Sequence, residues 1–149
     1  MNTKPKSYLD KLWAKGQEFL GVTCPILGGA MSWISESGLV SAISNEGAFG
    51  VLAGGNMPPE LFKKEVAKTM DLTDKPFGIN LISIAPNFRA HLEHVLEIEF
   101  PFVIIAGGLP PRDAITRLKQ ANGKVICFAV TANMAYNLIR QGVDALIVE

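Results

Sequence analysis

Small residues and one amide follow four predicted strands, and these residue types suit contact with a ligand. Gly28-Gly29, Gly54-Gly55 and Gly107-Gly108 each end an apolar run, and Asn80 ends a fourth run. Glycine there lets a flat or phosphorylated ligand approach the backbone and use its N–H groups, while an amide side chain both donates and accepts. Each glycine pair alone is more typical of a turn, but four such strand ends together favour a ligand site.

The other reactive side chains form no recognisable catalytic or metal-binding pattern. Neither a G-x-G-x-x-G fingerprint nor a G-x-x-x-x-G-K-[ST] phosphate loop occurs. His91 and His94 lie three residues apart among acidic residues, so we expect both to face solvent on an outer helix, away from the strand ends. Cys24 and Cys127 lie in apolar runs without metal-like spacing, which predicts buried, reduced thiols in a cytoplasmic protein.

The elements that must position these residues alternate regularly along the chain. Short apolar runs recur about every 21 to 28 residues, with helical spacing of apolar residues between them. Proline pairs at 58–59 and 110–111 predict helix starts, and glycines 47, 123 and 142 predict helix ends. The predicted strands cover residues 24–28, 49–54, 77–83, 102–107, 124–131 and 145–149.

The strands read as continuous apolar runs, for example FVIIAGG, KVICFAV and ALIVE. Such strands are buried on both faces, which indicates an α/β protein with a parallel sheet covered by helices. An open, flavodoxin-like sheet concentrates ligand contacts at one switch point, whereas a barrel spreads them over many strand ends. The distribution of small and amide residues over four strand ends favours a TIM-type (β/α)8 barrel, here about six strands and five helices after an N-terminal helix. A complete open sheet is the alternative.

The domain prediction divides the chain at residue 21. Residues 1–21 are expected to form an N-terminal helical extension, because Leu9, Leu12, Trp13, Phe19 and Leu20 suggest an amphipathic helix. Residues 22–149 are expected to be the N-terminal part of the barrel. The chain ends in GVDALIVE, inside the sixth predicted strand, and a buried strand left unpaired invites aggregation; we therefore expect the front part of a longer barrel.

Composition excludes several classes of partner. The 149 residues are 48% hydrophobic and 19% charged with zero formal net charge, which gives no electrostatic footprint for nucleic acid or an anionic membrane surface. No apolar run approaches the roughly 18 residues that a membrane span needs. The charged N-terminus lacks the apolar core of a secretory signal, so we predict a cytoplasmic location.

Four motifs in order carry a resemblance to a known family. PILGGAMSW, GAFGVLAGGNMPPELF, DKPFGINL and GVDALIVE resemble segments of the FMN-dependent barrels that comprise nitronate monooxygenases, formerly 2-nitropropane dioxygenases, and flavin enoyl-[acyl-carrier-protein] reductases. The resemblance runs from about residue 22 to the last residue. It implies FMN as the cofactor, bound across the carboxyl end of the barrel.

The resemblance also implies which residues hold the flavin. Gly29, Ala30 and Met31 would meet the isoalloxazine through backbone groups, Asn80 would contact the flavin from the third strand, and Glu149 would reach the ribityl chain or ring edge. In the family, a Gly-x-Glu-Ala-Gly-Gly-His segment follows and supplies the catalytic histidine. That histidine would lie beyond Glu149, so no catalytic residue is assigned within this chain.

Two activities fit the resemblance, and one alternative is not enzymatic. We rank flavin oxidation of an alkyl nitronate with O₂ first; the second candidate is NAD(P)H-dependent reduction of an enoyl thioester. The third reading is a non-catalytic half-barrel module that self-associates, as a homodimer, through its open edges.

Overall fold

The computed structural model describes residues 8–148, in which an N-terminal helix precedes six strands that alternate with five helices. The helices are α1 (Tyr8–Leu20), α2 (Ser37–Asn45), α3 (Pro59–Leu72), α4 (Phe88–Glu97), α5 (Arg112–Gln120) and α6 (Ala132–Arg140). The strands are β1 (Leu27–Gly28), β2 (Phe49–Ala53), β3 (Phe77–Ile82), β4 (Phe102–Ala106), β5 (Lys124–Ala129) and β6 (Ala145–Val148).

All six strands are parallel and lie in one sheet in the order β1-β2-β3-β4-β5-β6. A doubly wound open sheet reverses its strand order at a switch point, and no reversal occurs between residues 8 and 148. The strand order therefore confirms the TIM-type architecture, present as a half-barrel, and excludes the flavodoxin-like alternative.

The predicted helix boundaries follow from local backbone chemistry. Proline precedes or begins α3, and Pro111 precedes α5, where a missing N–H costs no intrahelical bond. Thr131 caps α6, since its Oγ1 accepts a hydrogen bond from the Met134 N–H at 3.2 Å. Gly142 follows α6 in the left-handed region at φ 89°, as predicted.

Two apolar layers pack on the two faces of the sheet. One lies between the strands and the helices, around Phe62, Leu81 and Leu92. The other fills the barrel interior, where the Phe49 and Phe102 rings meet edge to face at 5.1 Å. Burial on both faces explains why the strand sequences are continuous apolar runs.

Helix α1 closes the amino-terminal end of the barrel. Phe19 and Leu20 join the interior layer, and the Lys124 ammonium donates a hydrogen bond to the Phe19 carbonyl at 2.5 Å while lying over the Phe19 and Phe102 rings. A helix is present from residue 8 onward, as predicted; residues 1–7 of the predicted extension lie outside the described residues. Leu9 and Leu12 are exposed, so the packed face is narrower than predicted.

The first strand is shorter than predicted. It covers only Leu27–Gly28 instead of residues 24–28, because Pro25 has no N–H to donate and the Ile26 N–H turns back to the Cys24 carbonyl at 2.8 Å. Cys24 is consequently half-buried, and its predicted burial was wrong. Cys127 is buried as predicted, and burial raises the pKa of its thiol to about 12, which makes it a poor nucleophile at neutral pH.

Candidate functional site

A cavity of about 540 Å³ opens at the carboxyl ends of the strands. Every one of the six strands contributes at least one lining residue, and the loop after β1 contributes three. The walls are apolar apart from one amide. The lining residues are Leu27, Gly29, Ala30, Met31, Val51, Asn80, Ile82, Ile104, Ala106, Phe128 and Ile147.

Strand periodicity explains why these side chains point inward. Alternate residues of a strand face the same side of the sheet, so Asn80 and Ile82 of β3 share the barrel interior. In the register of the sheet they pair with Ile104 and Ala106 of β4. The sequence-predicted Asn80 therefore lies in the same cavity as Gly29, Ala30 and Met31. Glu149 lies outside the described residues.

Asn80 is the only polar side chain among the lining residues, and it is buried, with 6% of its surface exposed. Its Nδ2 donates a hydrogen bond to the Ile104 main-chain carbonyl at 3.3 Å, which fixes the orientation of the amide. Within residues 8–148 no group donates a hydrogen bond to its Oδ1. The carbonyl of the amide is thus available to accept a hydrogen bond from a donor in the cavity.

The loop after β1 is held by a buried hydroxyl that the sequence did not single out. Ser35 Oγ donates to the Gly29 carbonyl at 2.8 Å and accepts from the Met31 N–H at 3.0 Å. Ser35 stands two residues before a helix, where serine is ordinary capping chemistry, so its type gave no signal of this contact. The hydroxyl is therefore the hydrogen-bond partner of one backbone group of Gly29 and of one backbone group of Met31.

The glycines at the strand ends have different tasks, although all follow strands at the same end of the sheet. A Cβ at Gly28 would collide with Ile43 of α2, and one at Gly54 would collide with the Phe62 ring of α3. These two positions permit close packing of helices on the sheet. At Gly29 a Cβ would meet nothing within 4 Å, so only this member of its pair leaves open space at the cavity.

Gly107 and Gly108 contribute to a neighbouring, smaller cavity of about 360 Å³ that shares Ala106 and Phe128 with the larger one. Both adopt the left-handed region, with φ of 88° and 111°, which requires glycine for the turn after β4. Of the two explanations for a strand-end glycine pair, a turn or a ligand contact, the turn accounts for Gly107 and Gly108.

The prediction that His91 and His94 face solvent was wrong. His91 is buried at 1% exposure, and its ring stacks on Phe62 with centroids 4.2 Å apart. The buried stripe of α4 consists of Phe88, His91, Leu92 and Val95, a spacing that places His91 on the helix face against α3. His94 meets the edge of the Phe62 ring and lies 3.6 Å from Glu97.

The environment of His91 disfavours its charged form. Burial lowers the pKa of the imidazole below its ordinary value, and the nearby His94 lowers it further. The Met57 main-chain carbonyl opposes this shift, but within the described residues neither ring nitrogen has a partner in hydrogen-bonding geometry. The ring packs between α3 and α4 and does not line the cavity.

Glu65 of α3 holds the start of α2 and so supports the loop above the cavity. Its Oε2 accepts a hydrogen bond from the Ser37 N–H at 2.9 Å, one of the N–H groups that a helix start leaves unpaired. Burial tends to raise the pKa of this carboxyl, but the hydrogen bonds from Ser37, together with the charges of Lys68 and Lys64, keep it below its ordinary value.

Residues 8–148 contain neither a metal-binding cluster nor a membrane-spanning helix. No group of three or more His, Cys, Asp or Glu side chains in this range is arranged to hold a metal ion. No helix in this range combines the length and apolar character needed to cross a bilayer.

Sequence comparisons place the site residues within a family match. The model of the nitronate monooxygenase family matches residues 15–93, a range that contains Gly29, Ala30, Met31 and Asn80. A hydroxy-methyl-oxo-octahydroindene-carboxyl-CoA dehydrogenase of Mycobacterium tuberculosis is 32% identical over 89% of this chain and 37% of that protein. A nitronate monooxygenase of Paraburkholderia phytofirmans is 27% identical over 87% of this chain and 46% of that protein.

Solved structures share the same half-barrel. FabK from Thermotoga maritima superposes with a TM-score of 0.85 at 31% identity, covering 90% of this chain and 43% of that one. A nitroalkane oxidase from Streptomyces ansochromogenes gives a TM-score of 0.83 at 23% identity, covering 90% of this chain and 48% of the other. The chain spans less than half the length of each of these relatives.

Proposed function

The chain belongs to the nitronate monooxygenase family, and from that premise we propose that its cavity binds FMN and that the protein is an FMN-dependent oxidoreductase. The observation that carries the proposal is the cavity itself, which combines contributions from six strand ends with apolar walls and one oriented amide. Ligand pockets commonly have volumes of about 300–1,000 Å³ and are mostly apolar with few polar groups.

The residues present fit an isoalloxazine ring. Its flat apolar faces suit walls such as Val51, Ile104 and Ile147. Its edge carries alternating N–H and C=O groups, and Asn80 Oδ1 can accept a hydrogen bond from such an N–H. Gly29 leaves space for close approach. We propose Gly29, Ala30, Met31 and Asn80 as flavin contacts, and Glu149 remains a proposed contact from the family resemblance.

The chain's own residues would bind and orient the cofactor and exclude water. When bound, FMN supplies the electron-transfer chemistry. For the first candidate reaction, an alkyl nitronate is the electron donor and O₂ the acceptor. The family model supports this assignment, as do relatives named nitronate monooxygenase.

The second candidate is reduction of an enoyl thioester, with NAD(P)H as the electron donor. A difference in sequence identity favours it. This chain is 31–33% identical to FabK and to two carboxyl-CoA dehydrogenases. It is 22–27% identical to the proteins named as nitronate monooxygenases or probable nitronate monooxygenases. The two candidates share the proposed cofactor site and differ in the electron donor.

Anaerobic reduction of the FMN-loaded full-length protein separates the two. We expect propyl-2-nitronate to bleach the flavin absorbance, with free FMN under the same conditions as the control. Bleaching by NADH and none by the nitronate would reverse the order of the candidates. Bleaching by neither donor would contradict both proposed activities.

A further inference from the structure

Ser35 is buried beside the proposed flavin site without lining it. Its exposed fraction is 2%, and it lies between β1 and α2 behind the segment Gly29–Met31. Its hydroxyl makes two hydrogen bonds to that segment, one to the Gly29 carbonyl at 2.8 Å and one from the Met31 N–H at 3.0 Å. The side chain thus closes a loop around Ala30.

The backbone of Ser35 reinforces this closure. Its N–H donates to the Met31 carbonyl at 2.9 Å, and its carbonyl accepts from the Ala53 N–H at the end of β2 at 3.0 Å. Ser35 therefore connects the loop after β1 to the neighbouring strand. Three backbone groups of Gly29 and Met31 are used within the protein and are unavailable to a ligand.

Ala30 is left with free backbone groups. Within residues 8–148, neither its N–H nor its carbonyl has a hydrogen-bond partner, and the residue is exposed where it lines the cavity. Free and fixed backbone groups at a cavity wall are suited to bind a ligand without further ordering.

We propose that Ser35 is a positioning residue for the flavin: it holds Gly29–Met31 so that the Ala30 backbone and the open side of Gly29 face the cofactor. This inference rests on the proposed function. Without the hydroxyl, the Gly29 carbonyl and the Met31 N–H lose their partner and the segment gains alternative conformations. Binding must then order the segment, which weakens affinity.

The test measures FMN affinity by quenching of flavin fluorescence in the Ser35→Ala variant. We expect the Kd to rise about tenfold, as for loss of one or two hydrogen bonds of ordinary strength. The matched control is Ser44→Ala. Ser44 is equally buried in α2, but its hydroxyl accepts from the Gly50 N–H at 3.3 Å near the start of β2, at the far end of the barrel; we expect its Kd to stay within about twofold.

A spectroscopic readout separates positioning from general stability. In Ser35→Ala the segment Gly29–Met31 loses the two hydrogen bonds that fix its backbone against the flavin, so the absorption maximum of the bound cofactor should shift in this variant and stay constant in Ser44→Ala. Ser35→Cys keeps the shape of the side chain with a slightly larger atom that makes weaker hydrogen bonds, so we expect an intermediate Kd for this variant.

The outcomes distinguish this inference from the function on which it rests. If the wild-type protein binds no FMN, the proposed function fails. If the wild type binds FMN and both Ser35 variants bind it with the same Kd and spectrum, the positioning role is overturned. An equal loss in Ser44→Ala would likewise overturn it, because the effect would then follow stability and not the loop.

Discussion

In the proposed flavin site, Asn80 is the residue on which we expect recognition to depend most. Among residues 8–148 it is the single polar side chain that lines the apolar cavity, and its bond to the Ile104 carbonyl fixes which end of the amide a ligand meets. An apolar cavity binds a flat ring without selecting its orientation, since hydrophobic contact is non-directional. A hydrogen bond to the Asn80 amide is directional and would select one orientation of the ring.

Asn80→Ala is expected to weaken FMN binding by about tenfold, equivalent to about 1.4 kcal/mol, because one buried hydrogen bond to the flavin edge is lost. Flavin fluorescence quenching measures the change. The control is Asn45→Ala, which removes an amide bonded to the Leu72 carbonyl and to Thr73 at the opposite end of the barrel. Unchanged affinity in Asn80→Ala would refute the proposed contact.

His91 makes the stability of the protein sensitive to acid. Its pKa in the folded state is below the ordinary value of about 6.5. Between these two pKa values the unfolded chain binds a proton that the folded chain does not. The free energy of unfolding therefore falls as pH drops below about 6.5, by up to about 1.4 kcal/mol per pH unit from this group, and levels off below the folded pKa.

Urea denaturation between pH 7.5 and pH 5 measures this dependence. His91→Phe keeps an aromatic ring against Phe62 and removes the titration, so its unfolding free energy should decline less over this range than that of the wild type. His94→Gln is the control for the neighbouring imidazole. Equal slopes for wild type and His91→Phe would show that His91 does not cause the acid sensitivity.

Sequence reasoning placed Asn80 correctly at the carboxyl end of a strand and misplaced His91, and the difference has a physical reason. Asn80 ends an apolar run, where strand periodicity fixes the face and the end of the sheet. His91 lies three residues after Phe88 and one before Leu92, on the buried stripe of α4, but its acidic neighbours suggested an exposed face. Ser35 was missed because its effect comes from two bonds across a loop, which residue type and spacing do not encode.

At the scale of elements, the strand-end glycines serve two purposes. Some let a helix pack closely on the sheet, and one leaves open space at the cavity. Gly54 lets α3 approach β2, since an added Cβ would overlap Phe62 and lie 2.9 Å from the Asn80 carbonyl oxygen. A Cβ added at Gly29 would meet nothing within 4 Å, and this glycine lines the cavity. The sequence presents both as strand-end glycines, and only the packed structure distinguishes their tasks.

Two alanine variants test this distinction. Gly54→Ala should lower the free energy of unfolding by about 1–3 kcal/mol, the usual cost of overpacking. Gly29→Ala should leave stability nearly unchanged and weaken FMN binding, because its methyl group would occupy space proposed for the cofactor. Thermal unfolding and FMN titration of both variants provide the measurements. Destabilisation by Gly29→Ala with unaltered binding would contradict this division.

The elements themselves were largely predictable. Continuous apolar runs located all six strands, and proline and glycine located most helix boundaries, because both signals act through local backbone chemistry. At β1 the prediction extended too far, since Pro25 interrupts the ladder within an otherwise apolar run. At the end of α5 the left-handed residue is Asn122, at φ 59°, and not the predicted Gly123.

At the scale of the whole molecule, strand order is the feature that joins sequence to function. Six strands in chain order bring their carboxyl ends to one mouth, which is why residues 24 to 75 positions apart in sequence, such as Gly29, Asn80 and Ile104, share a cavity. Periodicity predicted the strands but could not distinguish a barrel from an open sheet. The distribution of small residues over several strand ends supplied that choice.

A second cavity of comparable size provides the natural contrast for locating a ligand. It measures about 410 Å³ and lies at the amino-terminal end of the sheet, lined by Thr73, Lys75 and Phe77 among others. Its lining includes Asp74 and Lys75, and none of the glycines that follow the carboxyl ends of the strands. A ligand that bound there would have no relation to Asn80 or to the loop after β1.

The most direct test is to titrate FMN into ¹⁵N-labelled protein and to follow each amide resonance. We predict saturable shifts that are largest at Ala30 and Asn80, with little change at Thr73 and Phe77. Shifts confined to the amino-terminal cavity, or no saturable shifts at any amide, would contradict a flavin site at the carboxyl ends of the strands.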